Sequence, residues 1–377
     1  ELKQAAINGT KGLTTANARQ AFTFAIIKSD FNYKDEDYLL NVSSLRREYV
    51  EKQGLVDIIK PRGGFEGIGG LEVQKELIRQ DVSGLYPDSQ AYGVQKPNGA
   101  ALMGPPGTGK TELVARMADE FGLDILVLRG DLLSKWQGES EKVFEKVFDL
   151  IRLYREAGCG LLIDELEKWF KSMTGNADSN GTGMRLGTNF MKYMSNRMND
   201  AKDYAYIVGT LNNGQWLDEA LMRDGRFDTK LWIGLPEPEA REAIYRIHLE
   251  KRDRDPAIYD MDSLVKASDG FTGSEIEKTV VTTIKRQNHI GRDKAAEPEL
   301  ILNLTKRKKP ASIRPNSDYE TQLKWAQEAG YMDEYEEDRN LIITSETDLK
   351  NIDGGPPTMT KVSDSKISKK KQIIEND

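Results

Sequence analysis

The sequence predicts an α/β fold with a mainly parallel sheet. Short apolar runs recur along its middle: AALM (100–103), ILVL (125–128), GLLI (160–163), YIVG (206–209) and LWIG (231–234). Amphipathic stretches separate them. Leu113, Val114, Met117, Ala118 and Phe121 make one helical stripe, and Val143, Phe144, Val147, Phe148 and Ile151 make the next. A glycine-rich turn, GPPGTGKT, sits between the first run and the first stripe. Short strands alternating with helices imply a parallel sheet with helices packed on it.

The flanks read differently. Residues 13–27 begin with threonines suited to N-capping and then place Ala18, Ala21, Phe22, Ala25 and Ile26 on one helical face. A second helical stretch follows over 39–52, so residues 1–60 read as a small helical module. From about Gly63 the chain is glycine-rich and then helical, and an α/β unit is expected over 61–236. Two prolines in LPEPEAREAI mark a boundary near Pro236. Residues 237–332 read as a helical unit. Residues 333–377, with DGGPP and SKKKQ, read as a loosely ordered tail.

Composition narrows the function classes. The chain has 377 residues, enough for two or more domains with cores of their own. A formal charge of −7 with 31% charged residues reads as a soluble globular protein. No apolar run approaches the ~20 residues that span a bilayer. The single cysteine, Cys159, excludes an internal disulfide and fits a reducing intracellular compartment, the cytoplasm or a plastid stroma. Two histidines, His248 and His289, leave little material for a His-rich zinc site or a Ser-His-Asp triad. Lysines 369–371 form a short basic cluster in an acidic chain, and nucleic acid is not the expected partner. No secretory leader is visible. The sequence starts at Glu1 and reads as beginning inside a longer product with an upstream domain.

The chemistry concentrates in four motifs. GPPGTGKT, 104–111, fits G-x-x-x-x-G-K-[ST] and lies between a strand and a helix. Its glycines let backbone N–H groups wrap phosphates, and the helix that follows adds its positive end. Lys110 should reach the β- and γ-phosphates, and the Thr111 hydroxyl should ligate Mg²⁺. About fifty residues on, GLLIDELEK ends a buried run in Asp164 and Glu165. Asp164 would hold Mg²⁺ directly or through water, and Glu165 would polarise an attacking water. YIVGTLNN ends another run in Asn212, an amide able to orient that water. LMRDGRFD supplies Arg223 and Arg226, whose guanidinium groups suit the charge of a phosphoryl-transfer transition state.

This order of motifs resembles the AAA family of ATPases. GIGGLEVQKELI, GPPGTGKT, KWQGESEKVF, LLIDELEK, GTLNN, LMRDGRFD, LPEPEAREAI and GFTGSEIE carry the likeness over roughly residues 63–285. The wider layout resembles a branch found in cyanobacteria, plastids and related bacterial genomes, in which the AAA module follows a separate N-terminal domain. The resemblance implies a P-loop NTPase sheet followed by a small helical lid domain, with ATP and Mg²⁺ as cofactors. It implies that Ile68 and Gly69 line the adenine pocket. It implies that Pro106, Gly107, Thr108, Gly109, Lys110, Thr111 and Glu112 wrap the phosphates, and that Gly273 lets the lid helix approach the nucleotide. Asp164 and Glu165 would be the metal-holding and catalytic acids, Asn212 the first sensor, and Arg223 and Arg226 fingers serving the next subunit. A finger acting on a neighbour needs a head-to-tail contact, and the resemblance implies a hexameric ring.

One short stretch, SKWQGESE, resists a packing explanation, because a large aromatic in a polar loop is poorly explained by a core. In the family, a loop at this place projects into the ring's channel. Lys135, Trp136 and the Gly138 to Glu141 segment match it, while Gln137 departs from the apolar residue common there. The polar loop over 171–187 falls where a second channel loop lies. The function expected is ATP-driven remodelling or threading of a polypeptide through a ring. The competing readings are a nucleic-acid-linked loader or initiator and a scaffold that uses ATP only to assemble.

Overall fold

The computed structural model describes residues 15–28, 36–60, 62–85, 87–128, 140–152, 159–168, 190, 192–194, 205–213, 226–291, 293–313 and 319–331. Among them six strands form one sheet: β1 (Val56–Ile58), β2 (Gly99–Met103), β3 (Asp124–Leu128), β4 (Cys159–Ile163), β5 (Ala205–Leu211) and β6 (Thr229–Trp232). Their spatial order is β1-β3-β4-β5-β2-β6. The last five are parallel, as the alternating pattern requires, and β1 is antiparallel to β3. Every residue of β2, β4 and β5 is buried, the mark of strands covered on both faces.

The period of two along the strands sorts side chains between two layers. Ala100 and Leu102 face Ile78 and Val82 of α3 (Glu72–Ser83), and Leu113, Val114 and Met117 of α5 (Lys110–Phe121). Ala101 and Met103 face the other layer, with Val147, Phe148 and Ile151 of α6 (Ser140–Arg152). A short α4 (Pro87–Tyr92) leads into β2. After the sheet come α7 (Pro238–Glu250), α8 (Met261–Ala267), α9 (Gly273–Ile290) and α10 (Glu297–Arg307). They share their own core around Tyr245, Leu264, Phe271, Ile276, Val280 and Ile301. α9 starts at a capping box in which the Thr272 hydroxyl accepts from the Glu275 N–H and the Glu275 carboxylate accepts from the Thr272 N–H. None of the described helices is long and apolar enough to cross a membrane.

Two segments differ from the reading of the sequence. The helices α1 (Thr15–Lys28) and α2 (Glu36–Lys52) pack through Ala25, Val42, Phe22 and Ile26. Yet the stretch after them is not a detached helical module. Residues 56–58 add a strand to the sheet edge, with Val56 opposite Leu128, and Val50, Val56 and Ile58 join the sheet's own core. Three alternating residues are too few to show a strand period in sequence. The helix α11 (Tyr319–Glu328), read as part of the helical unit after 237, also returns to the sheet. Ala326 and Tyr331 lie in the core around α6, and the Tyr319 and Trp232 rings stand 6.1 Å apart.

An ion-pair cluster fastens α2 to the sheet. Arg46 donates to Asp124 Oδ2 at 2.9 Å and Arg47 to Oδ1 at 2.7 Å, with the Asp124 side chain 4% exposed. Removing the carboxylate would strand a buried guanidinium. Asp124→Ala is therefore expected to lower stability by about 3 kcal/mol, read as a shift of the urea unfolding midpoint.

Candidate functional site

The strand order sets up the site. β5 lies between β2 and β4, with Met103 in register with Leu211 and Ile163 with Gly209, so β4 stops two residues short of the ends of β2 and β5. The residues that follow these strands therefore stand side by side at one edge, where open parallel sheets hold ligands. Gly104 N–H bonds to the Leu211 carbonyl at 3.1 Å, closing the phosphate loop onto the end of β5.

The loop 104–109 turns β2 into α5. Gly107 and Gly109 have φ of +86° and +107°, a region that side chains disfavour. At Gly107 a Cβ would also lie 2.2 Å from the Ser274 hydroxyl. Lys110 is buried beneath the loop. Its ammonium donates to the Gly104 carbonyl at 2.7 Å, the Pro105 carbonyl at 2.8 Å and Asn212 Oδ1 at 3.0 Å. Burial pushes its pKa down to about 8, against the pull of Glu167, Asp164 and Glu165.

The acidic side is knit by hydroxyls. Thr111 donates to Asp164 Oδ1 at 3.2 Å, and Thr210 donates to the same oxygen. Thr210 also accepts the Glu165 N–H at 3.0 Å. Glu165 takes a φ of 53°, uncommon for a residue with a side chain, which turns the chain sharply off β4. Its Oε1 is 3.4 Å from Asn212 Nδ2, and its Oε2 pairs with Lys168. Asn212 N–H is fixed by Glu167 Oε1 at 3.1 Å, and the other oxygen of that buried Glu167 has no hydrogen-bond partner.

A second wall adjoins the loop. Lys75, buried in α3, donates to the Ile68 carbonyl at 2.8 Å and pairs with Glu72. It holds the turn in which Gly70 and Leu71 are left-handed. A Cβ on Gly69 would lie 2.8 Å from the Ile244 backbone nitrogen, so this turn presses flat on α7. Ser274 N–H bonds to the Gly107 carbonyl at 3.0 Å, joining α9 to the phosphate loop. At Gly273 the protein itself leaves room, because a Cβ there would meet only ordinary contacts at 3.7 Å. Gly107 carries both a positive φ and a close neighbour on α9.

Of the residues singled out in sequence, Gly107, Thr108, Gly109, Lys110, Thr111, Asp164, Glu165 and Asn212 converge here, with exposed Pro106 on the loop. Ile68, Gly69 and Gly273 border the same space. Glu112 holds Arg62 at 3.2 Å and Arg116 at 3.0 Å. Arg226 does not join them. It precedes β6, whose Thr229 is in register with Ala100, so it stands at the end of the sheet opposite the phosphate loop. Lys135, Trp136, Gln137, Arg223, the 171–187 loop and the 333–377 tail lie outside the described residues. Reading the sequence missed Thr210, Glu167, Lys168 and Lys75. The one available signal was a hydroxyl and an acid where buried apolar residues were due.

These residues suit a nucleotide triphosphate with Mg²⁺. The loop turns on two left-handed glycines into the N-terminus of α5, with a buried ammonium beneath it. Thr111 and Asp164 offer a hydroxyl and a carboxylate oxygen to a hard cation. Lys110 must carry its proton to pair with phosphate. With its pKa near 8, nucleotide affinity should be steady below pH 7 and fall as pH rises through about 8. Calorimetric titration in buffers of different ionisation enthalpy should show proton uptake on binding above that pH.

Comparison with known proteins agrees with this geometry. Residues 100–235 match the family described as ATPase family associated with various cellular activities (AAA). An "Uncharacterized AAA domain-containing protein ycf46" of Guillardia theta is 30% identical over 328 residues, covering 85% of this chain and 62% of its own length. Proteins of the same description from Gracilaria tenuistipitata var. liui and Pyropia yezoensis are 29% and 30% identical, over 66% and 73% of this chain and 50% and 54% of their own lengths. The chain thus spans between half and about three-fifths of the curated relatives it matches. With its sheet order and its phosphate loop, the chain belongs to the AAA family of ATP-binding proteins and is similar to proteins of the ycf46 type.

Proposed function

We propose that this protein hydrolyses ATP with Mg²⁺ and uses the cycle to remodel or thread a polypeptide through a ring of its own copies. One observation carries the reading: Lys110, Thr111, Asp164, Glu165 and Asn212, from three strand ends, meet in one hydrogen-bonded constellation. Lys110 would leave its loop carbonyls for the β- and γ-phosphates. Thr111 and Asp164 would hold Mg²⁺, with Thr210 fixing the rotamer of Asp164. The metal, when bound, neutralises charge developing on the phosphate oxygens. Glu165 would take the proton of the attacking water at its carboxylate, and Asn212 would orient that water. Lys168 competes for Glu165 Oε2, so the base is engaged until that ion pair parts.

The place of Arg226 supports an oligomer. A guanidinium at the far end of β6 cannot serve its own phosphate loop, whereas a head-to-tail neighbour would bring its loop there. Such contacts close into rings, and six subunits is the number we propose. Trp136, with Lys135 and Gln137, would supply a sequence-tolerant apolar grip on an extended chain. Cys159, the one cysteine of the sequence, is buried at the start of β4, and we place the protein in the cytoplasm or a plastid stroma.

Glu165→Gln is expected to lower kcat by about 100-fold or more while ATP still binds, and to trap unfolded polypeptide on the assembled ring. Turnover equal to wild type would remove Glu165 from its role. Trp136→Ala should keep ATPase within about twofold of wild type, by its distance in sequence from the phosphate motifs, and lose remodelling of an unstable test protein. Undiminished remodelling would dispose of the channel grip.

A further inference from the structure

The phosphate cradle and the wall formed by Ile68 and Gly69 meet at Glu112. This residue follows Thr111 in the first turn of α5, so it starts beside the phosphates. Each of its two oxygens accepts from one arginine. Arg116 Nε binds Oε1 at 3.0 Å, and Arg62 Nη1 binds Oε2 at 3.2 Å. Arg116 also donates to the Arg62 carbonyl at 2.8 Å, which ties the carboxylate over the segment that runs into Ile68. The opposite wall is α7. Its Ile244 packs against Gly69 and lies 3.7 Å from the Cβ position of Gly273, and His248 follows one turn later. Burial lowers the proton affinity of His248, while Glu277 and, more weakly, Glu112 raise it. The Glu112 charge is therefore within electrostatic reach of α7.

In a nucleotide the part between triphosphate and base is the sugar. A carboxylate is an acceptor only, and the sugar hydroxyls are the donors in that part of the ligand. The Glu112 side chain is 38% exposed, which leaves its oxygens lone pairs to offer. Arg62 and Arg116 offset the repulsion that a bare carboxylate would exert on the phosphates. We propose that Glu112 accepts a hydrogen bond from a ribose hydroxyl and thereby sets a preference for ribonucleotides over nucleotides lacking those hydroxyls. The proposal rests on the ATP-binding reading of this site. Arg62 and Arg116 are positioning residues in it, and Glu112 is the specificity-determining one.

The test is equilibrium binding of ADP and 2′,3′-dideoxy-ADP by calorimetry, which needs no turnover. Wild type should bind ADP about tenfold more tightly, the order expected of a charged hydrogen bond. In Glu112→Leu the two affinities should agree within about twofold, with dideoxy-ADP affinity little changed. If the Leu variant does not fold, Glu112→Gln, similar in size but a neutral acceptor, should still narrow the ratio. Arg62→Ala, which leaves the carboxylate, should keep most of the discrimination. Equal affinities in wild type would overturn the assignment and leave the nucleotide site standing. So would a Glu112→Leu variant that weakens both ligands by one factor, which is what a purely structural role predicts. Failure of wild type to bind ADP as well as dideoxy-ADP would overturn the nucleotide reading itself, and the inference with it.

Discussion

The shared edge at which β2, β5 and β4 end is the constraint on which the rest of this structure depends. Parallel registration places the Gly104 N–H on the Leu211 carbonyl and Ile163 beside Gly209. Because β5 intervenes, Asn212 stands between the phosphate loop and the acidic turn and can touch both Lys110 and Glu165. The strands hold this alignment because all their residues are buried between two helical layers, and a register shift would expose one layer and overpack the other.

On that frame sits a polar cluster that an apolar core would otherwise reject. Burying Lys110 and Thr210 is tolerable because each has found hydrogen-bond partners, whereas Glu167 satisfies one oxygen and leaves the other without a partner. The depressed pKa of Lys110 reports the residual cost of its burial. The Glu165 backbone, left-handed and anchored to Thr210, stores modest strain to aim its carboxylate away from β4. Competing partners at the same carboxylate, Asn212 and Lys168, make its engagement adjustable by small movements.

The helical unit after Pro236 is joined to this edge by backbone rather than by long side chains. Ser274 N–H meets the Gly107 carbonyl, and Gly69 lies flat against Ile244. Contacts of that kind admit little slack, since no rotamer change can relieve them. At the other end, α2 and α11 are welded to the sheet core, through the Asp124 ion pairs and through Ala326 and Tyr331.

The sequence by itself determined the strands, α5 and α6, the phosphate loop and the acids Asp164 and Glu165, because each is written in a local period or a fixed spacing. Runs such as AALM and GLLI, and the stripe from Leu113 to Phe121, carry their burial in their own pattern. Tertiary structure alone decided what depends on partners distant in the chain. The three-residue β1 exists only against β3, and α11 reads like any amphipathic helix until the sheet chooses it over α7 to α10. Thr210, Glu167 and Lys75 are ordinary residues in sequence that become structural supports once Asp164, Asn212 and Ile68 are brought within hydrogen-bonding distance. Gly107 is constrained by its positive φ and by Ser274, far along the chain, a demand that no local pattern shows. Local pattern fixes which surfaces must be buried, whereas the choice among surfaces able to cover them is settled by long-range packing.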